Sequence, residues 1–239
     1  MDVVVDHSPD IQVYQQQLSA GTEKKRREAL EALLQEGHQG LLVLEDFLVA
    51  VQAGTYPFER LAGCIYAQLF QASEPQVQSF LQTQFPQGFF SSPSDCNLGY
   101  QDLEALLAQE QFEAADRLTI QKMCELAGAA AQQRKWLYFS EVDQFPLTDL
   151  QTIDRLWRLY SDDKFGFSIQ REIWLGVGQT WEKLWAKIGW KNDRLWTRYP
   201  QGFTWNLSAP KGHLPLTNQL RGVRVMAALM NHPAFQSNS

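Results

Sequence analysis

Helical spacing dominates the chain from end to end, with apolar residues recurring three and four positions apart. A chain patterned this way buries one stripe of each segment against neighbouring helices, so the sequence predicts an all-α fold. Thr22 can cap a helix over residues 22–36 that carries Leu30, Leu33 and Leu34, with Gly37 ending it. Its charge run Lys24 to Arg27 reads as a solvated face. A second helix carries Leu41, Leu42, Val43, Leu44, Phe47 and Leu48 and closes near Gly54. A third runs from about Phe58 to Phe70, and a fourth starts at Pro75 and stops before Pro86. Four such helices with short breaks predict an N-terminal helical bundle over residues 1–90. The bundle offers no chemical constellation.

Residues 86–98 break the pattern with two prolines, a glycine and several serines, which marks a connector and a domain boundary. A second domain over 95–239 resumes with helices near 100–110 and 112–133, the latter rich in alanine. The stretch from Gln133 to Phe145 is aromatic and less regular, and Pro146 stops it. Thr148 and Gln151 match a capping box opening a helix with Leu150, Ile153, Leu156, Trp157 and Tyr160 on one face. A turn over 161–167 leads to a helix capped by Ser168, and a further helix carries Trp181, Leu184 and Trp185 and ends at Gly189. From Trp190 to Pro215 no period is visible. A loop of about 25 residues inside a compact domain is functional or disordered, and disordered segments are poor in aromatics. This one carries Trp190, Trp196, Tyr199, Phe203 and Trp205, so a functional surface loop is expected. A last helix is expected from about Leu216 to Met230, with Asn218, Arg221 and Arg224 following one another at i+3 on its polar side.

Several chemistries lack their residues. The four histidines never pair at helical spacing, and no CxxC, P-loop, GxSxG or strand-borne GxGxxG occurs. Carboxylate pairs such as Glu141/Asp143 read as caps and turns, and no nucleophile has a base beside it. The sequence therefore predicts no catalytic residue, no metal site and no enzyme. Cys64, Cys96 and Cys124 stand apart and read as free thiols of a reducing compartment. No apolar run approaches a bilayer span, and the acidic start Met1-Asp2-Val3-Val4-Val5-Asp6 is not a targeting leader, so a cytoplasmic location is expected.

Charge and tryptophan are unevenly placed. Residues 187–224 hold seven basic residues and one acidic residue, while the whole chain carries a net charge of −6. All eight tryptophans lie between Trp136 and Trp205. Two aromatic segments, 136–145 and 190–215, facing each other would form a slot for a flat ring. Guanidinium groups at its rim would pair with carboxylate arms. Burying ~300 Å² of such a ring contributes roughly 7 kcal/mol at about 25 cal/mol per Å², offset in part by ordering the loop. Stacking plus charge also suits single-stranded nucleic acid, although the overall acidity opposes it. A helical protein-interaction scaffold without a ligand is a third reading that pattern alone leaves open.

Four segments together resemble the Genomes Uncoupled Four family, the porphyrin-binding regulator of magnesium chelatase. They are Phe145-Pro146-Leu147-Thr148-Asp149-Leu150 with Ile153-Asp154-Arg155-Leu156-Trp157, then Lys164 to Gln170, the turn Ile188-Gly189-Trp190, and Gly212-His213-Leu214-Pro215. The resemblance covers about residues 95–235, and the N-terminal bundle is similar to the helical extension of cyanobacterial members. It implies an all-helical, cupped core that holds protoporphyrin IX or magnesium protoporphyrin IX between two mobile loops. It implies stimulation of magnesium chelatase in chlorophyll biosynthesis through the large porphyrin-binding subunit, with no catalytic cofactor and some peripheral membrane association; no nucleic-acid partner is expected, on the overall acidity. Carried onto this chain, it implies Phe139 and Val142 on one side of the pocket and Tyr199, Phe203, Trp205 and Leu214 on the other. Asn218, Arg221 and Arg224 would meet the propionates or steady the loop. Phe165, Phe167, Trp157 and Trp174 are expected in the core, Gly166 at a φ > 0 turn, and Asp149 and Asp154 as structural partners. His213 is expected to be incidental rather than a metal ligand.

Overall fold

A computed structural model describes residues 9–192, 195–217 and 223–236. The fold is all-α: among the described residues thirteen α-helices are joined by turns, with one two-residue hairpin. The chain divides into two compact units, residues 1–89 and 90–239.

The first unit holds α1 (Pro9–Ala20), α2 (Glu23–Gln35), α3 (Gly37–Gln52), α4 (Glu59–Gln71) and α5 (Pro75–Gln84), each packed on the next. Five helices stand where spacing predicted four. Helix α1 escapes the pattern because only Ile11 and Leu18 of its length are apolar and buried. Thr22 caps α2, its hydroxyl accepting from the Lys25 amide at 3.4 Å. Helix α3 is the centre of the unit: Leu41, Leu44, Leu48 and Val51 form a fully inward stripe.

The second unit holds α6 (Gln101–Ala108), α7 (Phe112–Ala127), α8 (Ala129–Arg134), α9 (Phe139–Val142), α10 (Leu147–Leu159), α11 (Phe167–Gly176) and α12 (Trp181–Lys187). The hairpin strands β1 (Lys191–Asn192) and β2 (Leu195–Trp196) follow, then α13 (Arg224–Asn231) and a 3-10 turn, Pro233–Phe235. Its core is built on Trp157 and Phe165, both fully buried, with Phe112 packed 6.0 Å from the first ring and 5.4 Å from the second. The Trp157 indole N–H donates to the Thr119 hydroxyl at 2.9 Å, so this buried ring leaves no polar atom unsatisfied. Phe167 and Trp174 are buried too.

Two buried aspartates tie sequence-distant segments together. Asp149 accepts from Ser94 Oγ, from the Asp95 amide at 2.9 Å and from the Tyr100 hydroxyl at 2.8 Å, which fastens the connector to α10. Asp154 accepts the Ser168 amide at 2.8 Å and closes the first turn of α11. Gly166 makes that approach possible: its φ is +139°, and a Cβ there would lie 2.8 Å from Asp154 Oδ1.

Four local expectations are corrected. The stretch 112–133 is two helices, because Gly128 takes φ +95° and breaks the ladder. Thr148 is inside α10 rather than its cap; the helix begins at Leu147 after an extended Pro146. Gly166, not Ser168, precedes α11. The final helix begins at Arg224, not near Leu216. Gln170 donates to the carbonyls of Gly212 at 3.0 Å and Pro215 at 2.7 Å, and the Leu216 amide donates to Asp116, so residues 212–216 are held in a non-helical run.

Candidate ligand cavity

The second unit contains a cavity of about 1240 Å³. One wall is helix α7, contributing Asp116, Ile120, Met123 and Cys124; the floor is Leu216, Thr217 and Val225. Two loop segments, the lips, complete the lining. The first is Lys135, Trp136 and Leu137; the second is Leu195 and Trp196 of β2 with Tyr199 and Phe203 beyond it.

The first lip is held by one arginine. Lys135 takes the left-handed conformation (φ +60°) and ends α8. Arg134 then donates through Nη2 to both oxygens of Glu141, at 2.8 and 2.6 Å, and through Nε to the Trp136 carbonyl at 3.1 Å, while its guanidinium lies 4.6 Å from the Trp136 ring centre and 4.3 Å from that of Tyr138. Glu141 also accepts the Tyr138 amide at 2.7 Å, which opens α9. A planar cation against two rings that themselves meet edge-on at 4.5 Å, bonded at once to a carboxylate and to the Trp136 carbonyl, fixes the loop better than an ammonium would.

The second lip rests on a stack of indoles. Trp185 and Trp190 lie parallel, 5.4 Å apart and inclined by 6°, and Trp196 tilts against Trp185 at 5.8 Å. Lys191 covers the Trp196 ring at 5.2 Å and pairs with Glu182 at 2.6 Å. Beyond the hairpin, Tyr199 meets Trp205 edge-on at 6.0 Å, and Phe203 lies 5.9 Å from Trp205 and 5.2 Å from His213. The Trp205 indole donates to the Pro200 carbonyl at 3.0 Å.

His213 is a structural pin, which corrects the expectation of an incidental residue. Its Nδ1 lies 2.6 Å from the Ile188 carbonyl, and its Nε2 accepts the Thr204 amide at 3.2 Å. Only the tautomer protonated at Nδ1 satisfies both contacts, and burial holds the ring below its ordinary pKa, favouring that neutral form. The Trp190 indole donates to the His213 carbonyl at 2.7 Å. A loop that shows no period is thus ordered by side chains reaching its backbone.

The sequence-predicted site residues divide. Tyr199 and Phe203 line the cavity. Trp205 packs behind both, and Leu214 is fully buried. Val142 is fully buried on α9, which packs against α13, and is not part of the lining. Phe139 is exposed, with the Arg224 guanidinium 5.5 Å from its ring centre; neither belongs to the lining. Asn218 and Arg221 lie outside the described residues. Sequence reasoning passed over the α7 wall, whose alanines and alternating charges read as an ordinary amphipathic helix. It also passed over Trp136 and Leu137, although both stand in the aromatic segment it singled out.

The lining is largely apolar and carries charge of both signs, Arg117, Lys135 and Arg198 beside Asp116 and Glu125. Leu195 is 77% exposed and Tyr199 is 52% exposed, and both belong to the lining. Arg117 is engaged by Glu113 at 2.8 Å. Burial raises the Tyr199 phenol above its ordinary range, with the Asp116 charge adding and Arg117 opposing. Among the described residues no cluster of histidine, cysteine, aspartate or glutamate could hold a metal ion.

Comparison with known proteins reaches both units. A GUN4-like family model matches residues 93–233, and a model for an ARM-like repeat domain, GUN4-N terminal, matches residues 3–86. The chain is 47% identical to a Ycf53-like protein of Synechocystis, over 92% of this chain and 94% of that one. It is 38% identical to a chloroplastic tetrapyrrole-binding protein of Arabidopsis thaliana, over 56% and 54% of the two chains. The solved structure of GUN4 from Chlamydomonas reinhardtii superposes with a TM-score of 0.58 at 39% identity, covering 62% of this chain and 96% of that one.

Proposed function

The chain belongs to the GUN4 family, and on that footing we propose that its second unit binds a porphyrin in the cavity between the two lips. The observation that carries this reading is the lining itself. Trp136, Trp196, Tyr199 and Phe203 offer broad faces, and Lys135 and Arg198 stand ready for carboxylate arms. A flat apolar ring with two propionates matches that chemistry. The name of the Arabidopsis relative, a tetrapyrrole-binding protein, supports the ligand class.

The ligands we assign are protoporphyrin IX and magnesium protoporphyrin IX. The cavity contacts come from Tyr199 and Phe203, with Trp205 and Leu214 behind them. Phe139, Val142 and Arg224 act from the shell around the first lip, and Asn218 and Arg221 belong to the adjoining run. The protein holds and passes on the ring rather than transforming it, and it serves magnesium chelatase through the large porphyrin-binding subunit. Among the described residues no helix is long and apolar enough to cross a membrane, so any membrane association we assign is peripheral.

The test is a titration of the full chain with a water-soluble dicarboxylate porphyrin, following tryptophan quenching and the Soret band. Saturation near one ring per chain, with a Soret shift, is expected; absence of saturable quenching refutes ring binding. The rate of magnesium insertion by purified chelatase, with and without the chain, tests the second step. An unchanged rate refutes service to the chelatase and leaves ring binding intact.

A further inference from the structure

Asp116 does not fit the wall it stands in. It is 3% exposed, yet it lines the cavity among Ile120, Met123, Leu137, Phe203 and Leu216. Oδ1 accepts the Leu216 amide at 2.6 Å, and this is its one hydrogen bond among the described residues. A carboxylate so placed is costly unless a cation or several donors meet it. The adjacent Arg117 is engaged by Glu113. Burial pushes the Asp116 pKa to about 7, opposed by the Leu216 amide and the Arg117 charge and reinforced by Glu113. The group therefore changes charge near neutrality, inside the cavity, where an apolar side chain would fill the wall at no such cost.

Granting the porphyrin reading above, the two ring forms differ in what they offer this oxygen. A free-base ring carries no cation. A magnesium ring carries a hard divalent ion that seeks oxygen ligands and holds water tenaciously. We infer that Asp116 is a specificity-determining residue that selects the magnesium form, its second carboxyl oxygen serving the axial position of the metal directly or through the metal's water.

The experiment titrates the full chain and Asp116→Asn with one dicarboxylate porphyrin, as the free base and loaded with magnesium. The amide keeps an acceptor oxygen for Leu216 and removes the charge. The expected result is a loss of about tenfold in affinity for the magnesium form, the difference between a charged and a neutral partner, with free-base affinity unchanged. A pH series on the wild-type chain needs no variant. Magnesium-form affinity should fall as pH drops from 8 to 6 while free-base affinity stays level, the groups facing Asp116 being Arg117, Glu113 and Tyr199. Equal losses for both forms, or no pH difference between them, would make Asp116 a mere anchor for Leu216 and overturn the inference. If the wild-type chain binds neither form, the failure lies with the porphyrin reading itself.

Discussion

Arg134 is the residue whose removal should do most to loosen the cavity without touching its lining. Arg134→Ala deletes an ion pair in which Nη2 meets both Glu141 oxygens, the Nε bond to the Trp136 carbonyl and two ring contacts, to Trp136 and Tyr138. The pair is partly shielded, with side-chain exposures of 19% and 22%, so it is not discounted to the level of a surface bridge. A hydrogen-bonded charged pair of this kind contributes about 1.5–3 kcal/mol, and each ring contact about 0.5–1 kcal/mol. Glu141 keeps the Tyr138 amide, which limits the damage. The expected loss is about 2–4 kcal/mol for the second unit. All eight tryptophans lie in that unit, so urea unfolding followed by tryptophan emission reads it alone. Arg134→Lys should recover only part of the loss, because an ammonium can meet Glu141 but gives up the Nε bond to the Trp136 carbonyl and the planar face against the rings. Porphyrin affinity should fall with both variants, since Trp136 and Leu137 lose their fixed placement. A loss below about 0.5 kcal/mol, the scale of an ordinary surface change, would show that the lip is held by something other than this arginine.

Three other perturbations address separate parts of the molecule. Gly166→Ala places a Cβ 2.8 Å from Asp154 Oδ1 at φ +139°, and should cost about 1–3 kcal/mol in the same urea assay; an unchanged midpoint would contradict the tight approach. His213→Ala strands the Ile188 carbonyl and the Thr204 amide, at about 1–3 kcal/mol for each buried orphan, and faster hydrogen exchange over 188–205 should accompany it. Lys135→Glu with Arg198→Glu should weaken binding of a dicarboxylate porphyrin by about tenfold or more, read by quenching at low salt, while its dimethyl ester is little affected. Equal effects on acid and ester would separate these cations from the carboxylate arms.

Long, strongly patterned helices were legible because their spacing is dictated by burial alone. Leu41, Leu44, Leu48 and Val51 on α3 announce a core stripe, and Trp157 and Phe165 announce a core. Features set by single contacts were not legible. The split at Gly128 depends on a φ of +95° that an alanine-rich neighbourhood hides. The non-helical run over 212–216 depends on Gln170 reaching the Gly212 and Pro215 carbonyls 42 and 45 residues away. The site shows the same division. The loop could be picked out because aromatics crowd a stretch with no period, and the family resemblance then singled out Tyr199 and Phe203 within it. The α7 wall could not, because the cavity face of Asp116, Ile120 and Met123 carries an ordinary helical spacing.

The tryptophans of the second lip form more than a support. Trp174 and Trp181 are 5.2 Å apart, Trp181 and Trp185 5.3 Å, and Trp185 lies within 5.8 Å of both Trp190 and Trp196. At such spacings excitation absorbed by one indole hops to the next within its excited-state lifetime. Trp196, at the cavity wall, stands at the end of that path. An acceptor seated beside it would drain light collected by five indoles rather than one, and excitation at the red edge, where hopping ceases, would restore the polarisation lost along the way. The five indoles are thus coupled to one another beside the place where we assign the pigment.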